Sequence, residues 1–447
     1  MLQNARATAT GEPLAELLPP LTDQEALVES NRCLFCYDAP CTHACPTHID
    51  IPRFIKKIST DNVVGSAATI LGANLLGATC ARVCPVQELC EGACVLGAEH
   101  KPIMIGRLQR FATDHIAAHG IDIFRPGLPT GKTIAVIGAG PAGLSCAGEL
   151  AKLGHRVTIF EKRQLAGGLS TYGIISLREP VPVSLAEVES VRRLGVEIRT
   201  GIGLGEDLQL PDLQDNYTAV FLAVGLGATP ALGIPGEEHI LDGLEYIEAS
   251  KRNAAALRVG KHVAVIGAGN TAIDCATVAR RLGAERATIV YRRTQKEMSA
   301  YRHEFEFAKG EGIEFRFLAQ PTRVIATQTG VAGLECASVS LGPVDRSGRP
   351  APSPVPDSAF LIPADQIVKA IGQEKWPWAG SLQLVTDRGF LKVDENLETS
   401  IPGVYAGGDS VRARGSCSTV MAVQDGKLAA AAIHRKLAQL QDKETAA

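Results

Sequence analysis

The stretch KTIAVIGAGPAGLSCAGELAKLGHRVTIFEKRQLAGGLS occupies residues 132 to 170, and the organisation of the rest of the chain follows from it. An apolar run at 134–137 predicts a buried parallel strand, and a helical pattern at 144–153 follows a glycine-rich turn. A second apolar run ends at an acid, Glu161, about 20 residues after the first glycine of the turn. This order of strand, turn, helix, strand and acid is the fingerprint of a dinucleotide-binding domain.

Each glycine of this turn is expected to have its own role. Gly138 makes the tight turn, Gly140 lets the backbone approach a pyrophosphate, and Gly143 lets the helix pack against the strand. The pyrophosphate would bind at the helix N-terminus, because unpaired N–H groups and the helix dipole favour negative charge there. The predicted site comprises Gly138, Ala139, Gly140, Pro141, Ala142, Gly143, the ribose acceptor Glu161, and Gly168 of a following glycine pair.

A second fingerprint begins at residue 262. A predicted strand at 262–266 runs into a glycine turn, and the next strand ends in Arg292-Arg293 instead of an acid. The two arginines could bind a ribose 2′-phosphate, which would favour NADP, or they could be solvated residues at a strand end. Two such sites in one chain imply two different nucleotides, one bound permanently to the protein and one that binds and dissociates. The second site is predicted to comprise Gly267, Ala268, Gly269, Asn270, Thr271, Arg292, Arg293, Ala370 and Gly372.

Eight of the 12 cysteines lie between Cys33 and Cys94, in two groups. Such groups could bind two zinc ions or two iron–sulfur clusters, and the Cys-Pro pairs beside a nucleotide domain favour clusters. A disulfide framework would need an oxidising compartment, which nothing in the sequence supports. The four scattered cysteines are predicted to be small buried apolar residues: Cys146, Cys275, Cys336 and Cys417.

The composition of the chain limits its possible functions. At 447 residues it is expected to form about three domains. Its formal net charge of −3 gives no reason to expect nucleic acid or an anionic membrane as a partner. No apolar run approaches the ~18 residues needed to span a bilayer, and the start of the chain lacks the pattern of a secretion signal. We therefore expect a cytoplasmic protein.

The C-terminal part is predicted to return to the first nucleotide domain. A strand that ends in Gly-Gly-Asp before a helix can place a carboxylate on the ribityl chain of a flavin, so the candidate flavin contacts here are Gly408, Asp409, Thr419 and Val420. The predicted fold is an α-helical iron–sulfur domain (1–125) followed by two Rossmann-like α/β domains. The NAD(P) domain (236–372) is inserted in the FAD domain (130–235 and 373–447).

The two fingerprints and the segment AGGD at 406–409 resemble the flavoproteins with two dinucleotide-binding domains. With the cysteine region in front, the chain from about Ala26 onward resembles a narrower group, the small subunit of glutamate synthase and the N-terminal half of dihydropyrimidine dehydrogenase. The segments NRCLFCYDAPC (31–41), CPTHIDI (45–51) and IGRLQRFAT (105–113) are similar to the pyrimidine enzyme, and above all to the separate flavin subunit of its bacterial form.

This resemblance implies a ligand set for each cluster. One cluster would take Cys33, Cys36, Cys41 and Cys94, and the other would take Cys45, Cys84, Cys90 and Gln109. Cys80 would be a non-ligand, and Arg178 would join the FAD site. The implied cofactors are FAD, two [4Fe-4S] clusters and NADH, with NADPH possible. The segment MSA at 298–300 stands where the animal enzyme has an arginine for the 2′-phosphate, which favours NADH.

The same resemblance implies an electron-input subunit. It would oxidise NADH and pass electrons to a PreA-like partner that carries FMN, iron–sulfur clusters and the pyrimidine site, in a heterotetramer without nucleic acid or membrane. Alternatives are the glutamate synthase small subunit, electron delivery to another reductase, and a zinc-held interaction module on a flavin disulfide reductase. The last is disfavoured because Cys146 has no cysteine partner beside the first fingerprint.

Overall fold

The computed structural model describes residues 12–328, 330–345, 348–376, 380, 382–412 and 417–446. The α-helices are α1 Asp23–Ser30, α2 Pro40–Ala44, α3 Ile51–Ser59, α4 Val63–Ala73, α5 Gly77–Val83, α6 Ile105–Ala118, α7 Pro141–Lys152, α8 Leu169–Tyr172, α9 Val181–Arg193, α10 Leu210–Asn216, α11 Gly243–Asn253, α12 Asn270–Arg281, α13 Arg302–Gly310 and α14 Thr419–Ala446. The strands are β1 Thr133–Ile137, β2 Arg156–Glu161, β3 Glu197–Thr200, β4 Ala219–Leu222, β5 Leu241–Asp242, β6 His262–Ile266, β7 Arg286–Tyr291, β8 Glu314–Phe317, β9 Ala319–Thr327, β10 Gly330–Val344, β11 Pro350–Pro363, β12 Gln366–Lys369, β13 Thr386–Asp387, β14 Phe390–Leu391 and β15 Val404–Ala406.

The chain forms two compact units. Among the described residues, the cysteine unit contains Leu18–Thr171, Val181–Leu226 and those of 375–446, and the hairpin unit contains 12–17, Tyr172–Pro180 and those of Gly227–Glu374. The longest segment of the hairpin unit begins at 227, whereas the sequence predicts the second nucleotide domain from 236. The unit also includes 172–180. The long segment of the hairpin unit begins at Gly227 and ends at Glu374. These two end residues are hydrogen-bonded, since the N–H of Gly227 donates to the carbonyl of Glu374 at 2.7 Å.

The N-terminal helices of the cysteine unit follow from local sequence signals. Thr22 and Glu25 form a capping box at the start of α1, and the Asp50 side chain accepts the N–H of Arg53 at the start of α3. In α3 the apolar residues recur at helical spacing and are all buried: Ile51, Phe54, Ile55 and Ile58. They pack in one core with residues of α4 and α6.

The first nucleotide sheet has five parallel strands in the order β15-β4-β1-β2-β3. Strand β15 comes from the C-terminal part, so residues after 403 complete this sheet, as predicted. Helices α7 and α14 cross closely on it. The hydroxyl of Ser145 donates to the carbonyl of Val423 at 2.8 Å, and a Cβ at Gly426 would overlap the carbonyl of Ala142.

Two side chains join the cysteine region to this nucleotide domain within the cysteine unit. The buried carboxylate of Glu187 on α9 accepts the N–H groups of Ala78 and Thr79 at 2.7 and 3.2 Å, which caps the start of α5. The ammonium of Lys427 on α14 donates to the carbonyls of Thr47 and Ala73 at 3.1 and 3.0 Å. These contacts make the helical region and the nucleotide domain one compact unit.

The hairpin unit has a parallel sheet in the order β5-β12-β6-β7-β8 and an antiparallel sheet in the order β11-β10-β9. The sequence prediction did not include the antiparallel sheet. Strand β11 contains prolines at 350, 352, 354, 356 and 363. Proline cannot donate to a neighbouring strand, and β11 is an edge strand, which is where proline is tolerated.

Helices α4 and α5 form a bent apolar pair. Within the described residues no single helix has the length and apolarity to cross a membrane; Val63–Ala73 and Gly77–Val83 meet that criterion only as a pair, bent by 86°.

Candidate cofactor sites

The first cysteine cavity is lined by four cysteines and by apolar residues. The cysteines are those that the resemblance grouped together: Cys33, Cys36, Cys41 and Cys94. Each of them is partly exposed. Burial raises the pKa of Cys33, and it raises the pKa of Cys41 to about 11. The structure thus brings these four thiols together around one apolar space.

The lining of the second cysteine cavity includes the three other cysteines that are predicted to be ligands, together with Gln109. The cysteines are Cys45, Cys84 and Cys90. The Gln109 amide nitrogen donates to the carbonyl of Gly77 at 2.7 Å, which leaves its Oε1 as the acceptor atom that an iron could bind. A hydrogen bond with Cys80, and then burial, raises the pKa of Cys84; burial raises the pKa of Cys90.

Two further polar residues line the second cavity. Cys80 is buried and hydrogen-bonded to Cys84, so the structure places this predicted non-ligand beside the ligand positions. Asn74, which the sequence reasoning missed, also lies in the wall. A hydrophilic Asn directly after an apolar helix, α4, was the signal that could have identified it.

The donor sets suit clusters better than single ions. Among the described residues, no three or more Cys, His, Asp or Glu side chains converge closely enough to hold one metal ion, and the thiols instead surround two cavities. An iron–sulfur cluster needs ligands distributed around several irons. The raised thiol pKa values mean that iron must displace protons on binding.

The first fingerprint turn has the backbone that a pyrophosphate needs. Gly138 has φ 101°, and a Cβ there would overlap the carbonyl of Ala223. A Cβ at Gly143 would overlap the carbonyl of Gly138, so helix and strand can meet only at glycine. Helix α7 begins after Gly140 without a side-chain cap, which leaves N–H groups for an anion.

The acid at the end of β2 is buried beside this turn. One oxygen of Glu161 accepts the N–H of Ala139 at 2.7 Å, and the other accepts the N–H of Arg163 at 2.8 Å. Across the turn, Gly168 lies so close to Gly140 that a Cβ would press on its Cα. Glu161 therefore holds the glycine turn in place and keeps lone pairs for a ribose.

The predicted flavin contacts in the C-terminal part lie at the same sheet edge, next to β15. The N–H of Gly408 donates to Asp425 on α14 at 2.8 Å, and burial raises the pKa of Asp409. Cys417 is exposed and donates to Asp409, so the prediction that it is a buried apolar residue is wrong; a carboxylate partner makes its surroundings polar. The other three scattered cysteines are buried, as predicted. Thr419 and Val420 begin α14.

The second fingerprint turn has the same backbone. Gly267 has φ 130°, and a Cβ there would overlap the carbonyl of Ala370, the residue that follows β12. The segment 299–301 lies over this turn: the N–H of Ala300 donates to the carbonyl of Ala268 at 3.2 Å, and the N–H of Tyr301 donates to the Asn270 side chain at 3.2 Å. Gly372 follows with φ 95°.

The two arginines after β7 differ in their surroundings. Arg293 is 2% exposed, and it donates to Asp345 and to the carbonyl of Pro350, both at 2.8 Å. Arg292 is exposed, and burial, with Arg293 and Arg349 nearby, lowers its pKa. Arg292 can therefore meet a phosphate, whereas Arg293 is held by an ion pair within the fold.

Arg178, which the resemblance assigns to the FAD site, forms ion pairs with two acids. It belongs to the hairpin unit, where its guanidinium binds Asp274 at 3.2 Å and forms a bidentate pair with Glu304. Burial raises the pKa of Asp274 to about 6 despite Arg178. The flavin role that the resemblance implies for Arg178 stays a prediction.

Comparison with known proteins agrees with this geometry. Residues 132–426 match the family described as pyridine nucleotide-disulphide oxidoreductase. The chain belongs to this family. Residues 11–121 match a second family description, dihydropyrimidine dehydrogenase domain II, 4Fe-4S cluster. The pyridine nucleotide-disulphide oxidoreductase domain therefore follows an iron–sulfur domain.

Curated relatives of this family member have different partners and substrates. It is 38% identical over 90% of its length to the NADP(+)-dependent formate dehydrogenase subunit beta of Moorella thermoacetica, and spans 60% of that protein. It is 35% identical to the NAD-dependent dihydropyrimidine dehydrogenase subunit PreT of Escherichia coli K12, with 95% and 97% covered. It is 32% identical to the glutamate synthase [NADPH] small chain of the same organism, with 93% and 92% covered.

Two solved structures confirm the fold. FprA of Mycobacterium tuberculosis in complex with NADPH superimposes with a TM-score of 0.57 at 18% identity, over 70% of this chain and 86% of FprA. Thioredoxin reductase of T. acidophilum gives 0.52 at 21% identity, over 68% and 99%. The protein is thus an NAD(P)H-dependent flavin and iron–sulfur oxidoreductase with the two Rossmann-like domains predicted from the sequence.

Proposed function

We propose that the protein is the electron-input subunit of an NAD-dependent dihydropyrimidine dehydrogenase. It would oxidise NADH through FAD and pass the electrons, through two [4Fe-4S] clusters, to a partner. The partner would be a PreA-like subunit with FMN that reduces uracil or thymine to the 5,6-dihydropyrimidine, in a heterotetramer. The relative named subunit PreT, which aligns over 95% of this chain, supports this proposal.

The observation that carries the proposal is the position of Gln109. Its amide lies in the wall of the second cysteine cavity with Cys84 and Cys90, where a cluster would need a fourth ligand. In the pyrimidine enzymes a glutamine of this motif ligates a cluster, whereas glutamate synthase small subunits usually carry an acid there. The side chain is buried and its nitrogen is anchored, so the oxygen can be held toward an iron.

The residues of the chain would position the cofactors. The start of α7 and Gly140 would bind the FAD pyrophosphate, and Glu161 would bind a ribose while it holds the turn. The turn from Gly267 and the exposed Arg292 would bind the nicotinamide nucleotide. Bound FAD supplies the conversion between hydride transfer and single-electron transfer, which protein side chains lack.

The second cysteine cavity and the proposed flavin site share a wall. Val420 lines the cavity, and it also belongs to the first turn of α14, which is assigned to the flavin. The first cavity is lined only by residues between Cys33 and Ile105. The second cavity is therefore the one that would receive electrons from the flavin, and the first would deliver them to the partner.

The test is NADH-dependent loss of uracil without oxygen, measured after this chain has been purified together with the subunit that it binds. Turnover that needs both chains would establish pyrimidine reduction. Reduction of artificial acceptors without uracil loss would retain the NADH and FAD chemistry and disprove the pyrimidine assignment.

A second measurement tests the ligand assignment. Gln109→Ala should change the EPR signal of one cluster and leave the other unchanged, because the oxygen ligand is lost from one site only. Unchanged spectra with full iron content would disprove the role of Gln109. Zinc in place of iron and acid-labile sulfide would disprove both clusters.

Electron delivery to a different reductase is the second candidate. The identities to the formate dehydrogenase and glutamate synthase subunits are similar to that with the pyrimidine enzyme. A partner with an amidotransferase domain would identify the glutamate synthase reaction. Partner identity therefore separates the candidates.

A further inference from the structure

Asn74 is a buried amide of which one end is unpaired. The residue is 1% exposed and directly follows α4, and its Oδ1 accepts the N–H of Leu76 at 3.0 Å. Its Nδ2 has no hydrogen-bond acceptor among the described parts of the chain. A buried donor without an acceptor costs about 1–3 kcal/mol, so this group needs an explanation.

The orientation of the amide is fixed by its neighbour. The N–H of Leu76 is a donor, so the Asn74 atom that faces it must be the oxygen, and the amide cannot be reversed. Asn74 lines the second cysteine cavity together with Cys84, Cys90 and Gln109. Since its oxygen is taken, the NH₂ group is what Asn74 offers to that cavity.

We propose that Nδ2 of Asn74 donates a hydrogen bond to a sulfur atom of the cluster in the second cavity and thereby raises the reduction potential of this cluster. The inference rests on the proposed function, in which that cavity holds a [4Fe-4S] cluster. A reduced cluster carries one more negative charge, and a fixed N–H donor stabilises the reduced form more than the oxidised form. Asn74 is then a tuning residue for the cluster.

The linings of the two cavities differ in their polar side chains. The lining of the first cavity consists of its four cysteines and of apolar residues such as Leu34, Ile51 and Val95. The lining of the second includes two amide side chains, Asn74 and Gln109. A neutral amide ligand in place of a thiolate also reduces the negative charge of a cluster, so both amides act in the same direction. The second cluster should therefore have the higher potential.

The test is redox titration of the whole purified protein, followed by EPR, for two variants and a control. Asn74→Leu removes the donor without adding charge, and Asn74→Asp removes the donor but keeps an oxygen for the N–H of Leu76. The control is Asn62→Asp, the same change at the other end of α4, where the exposed Asn62 accepts the N–H of Gly65 at 2.9 Å.

Both Asn74 variants should lower the potential of the cluster that Gln109→Ala identifies. We expect at least a tenfold change in its one-electron equilibrium, which is about 59 mV. The other cluster should keep its potential, and so should both clusters in the Asn62→Asp control.

Several results would overturn the inference. They are unchanged potentials in Asn74→Leu, a shift in Asn74→Asp alone, which would be a charge effect, and an equal shift in the control. If the variants lose the cluster, pulsed EPR of the wild-type protein in D₂O would decide, because no exchangeable N–H coupling at the second cluster would disprove the bond. Wild-type protein without iron and sulfide would disprove the proposed function as well, whereas two clusters with unaltered potentials would disprove this inference alone.

Discussion

The two fingerprint turns have the same backbone and differ in the residues at the end of the second strand. Both begin with a glycine at positive φ whose missing Cβ makes room for a carbonyl, that of Ala223 in one case and of Ala370 in the other. Strand β2 ends in a buried acid, Glu161, which binds its own glycine turn, whereas β7 ends in Tyr291 and is followed by an exposed arginine, Arg292. We therefore expect the backbone of each turn to allow a nucleotide to bind, and the side chain at the end of the second strand to influence which nucleotide binds there.

Substitution of the first glycine in each turn should give the largest effects. Gly138→Val should abolish FAD retention, since both the positive φ and the contact with a carbonyl exclude a side chain. Gly267→Val should leave flavin bound but lower NADH-dependent flavin reduction by about 100-fold or more, a loss of about 3 kcal/mol of binding. Flavin absorbance and anaerobic stopped-flow reduction measure the two losses. Equal flavin loss in both variants would contradict the assignment of FAD to the first turn and of NADH to the second.

The two arginines after β7 should separate stability from recognition. Arg293→Ala should destabilise the protein by about 2 kcal/mol, because it removes the buried guanidinium that binds Asp345 and the carbonyl of Pro350. Arg292→Ala should leave stability within about 0.5 kcal/mol, since the side chain is exposed. It should weaken inhibition by 2′-phosphorylated adenine nucleotides about tenfold and leave that by unphosphorylated ones unchanged. Denaturant unfolding and inhibition assays measure these effects; equal inhibition of wild type and Arg292→Ala would exclude Arg292 from the site.

A change at the acid of the first fingerprint should have a moderate effect. Glu161→Gln keeps the shape of the side chain but weakens the charge-assisted bond to the N–H of Ala139 and the bond to a ribose. The affinity for FAD should fall about tenfold, which is about 1.4 kcal/mol. Titration of FAD into protein stripped of flavin gives the dissociation constant. An unchanged constant would mean that Glu161 serves the turn alone.

The residues that precede β2 and β7 should differ in how they make the stability of the protein depend on pH. His155, which precedes β2, hydrogen-bonds to Thr130 and His434 at 2.9 Å each, and burial with His434 nearby lowers its pKa to about 4. The unfolded chain, with an ordinary value of about 6.5, takes up the proton first, so stability falls as the pH drops from about 6.5 towards 4.

His155→Gln should remove this dependence. Between pH 7 and pH 5 the wild-type protein should lose about 1 kcal/mol more stability than the variant, after allowance for partial screening by solvent. Denaturant unfolding at both pH values gives the comparison. Before β7 the matching position is an exposed pair of Lys261 with Glu285 at 3.1 Å, and Glu285→Gln should show no such difference. Identical pH profiles for wild type and His155→Gln would contradict the assignment.

Sequence patterns were sufficient wherever the structure depends on neighbouring residues. The predicted strands at 134–137 and 262–266 are observed as β1 and β6, and the predicted helix from about 419 is α14. Period and glycine spacing determine these elements locally. The return of residues after 403 to the first sheet was also predictable, because a strand that ends in Gly-Gly-Asp before a helix is typical of it.

Features that depend on distant partners were missed. The ion pairs of Arg178 are with Asp274 and Glu304, far along the chain, and no local pattern indicates them. Strand β11 carries so many prolines that its sequence argues against a strand, and only its edge position in the sheet allows them. The unpaired amide of Asn74 lies in the wall of the second cavity, whose lining includes residues as far apart in the chain as Cys45 and Val420.

The wall that Val420 contributes to the second cavity has a consequence for biosynthesis. A ribosome releases the chain from its N-terminus, so Cys45, Cys84 and Cys90 emerge long before α14. All residues that line the first cavity have left the ribosome once residue 105 has emerged. The lining of the second cavity is complete only when Val420 of α14 has joined it. Under the proposed function, maturation would therefore have an order: the first cluster would be inserted into the nascent chain, and the second would be enclosed only after translation has passed α14.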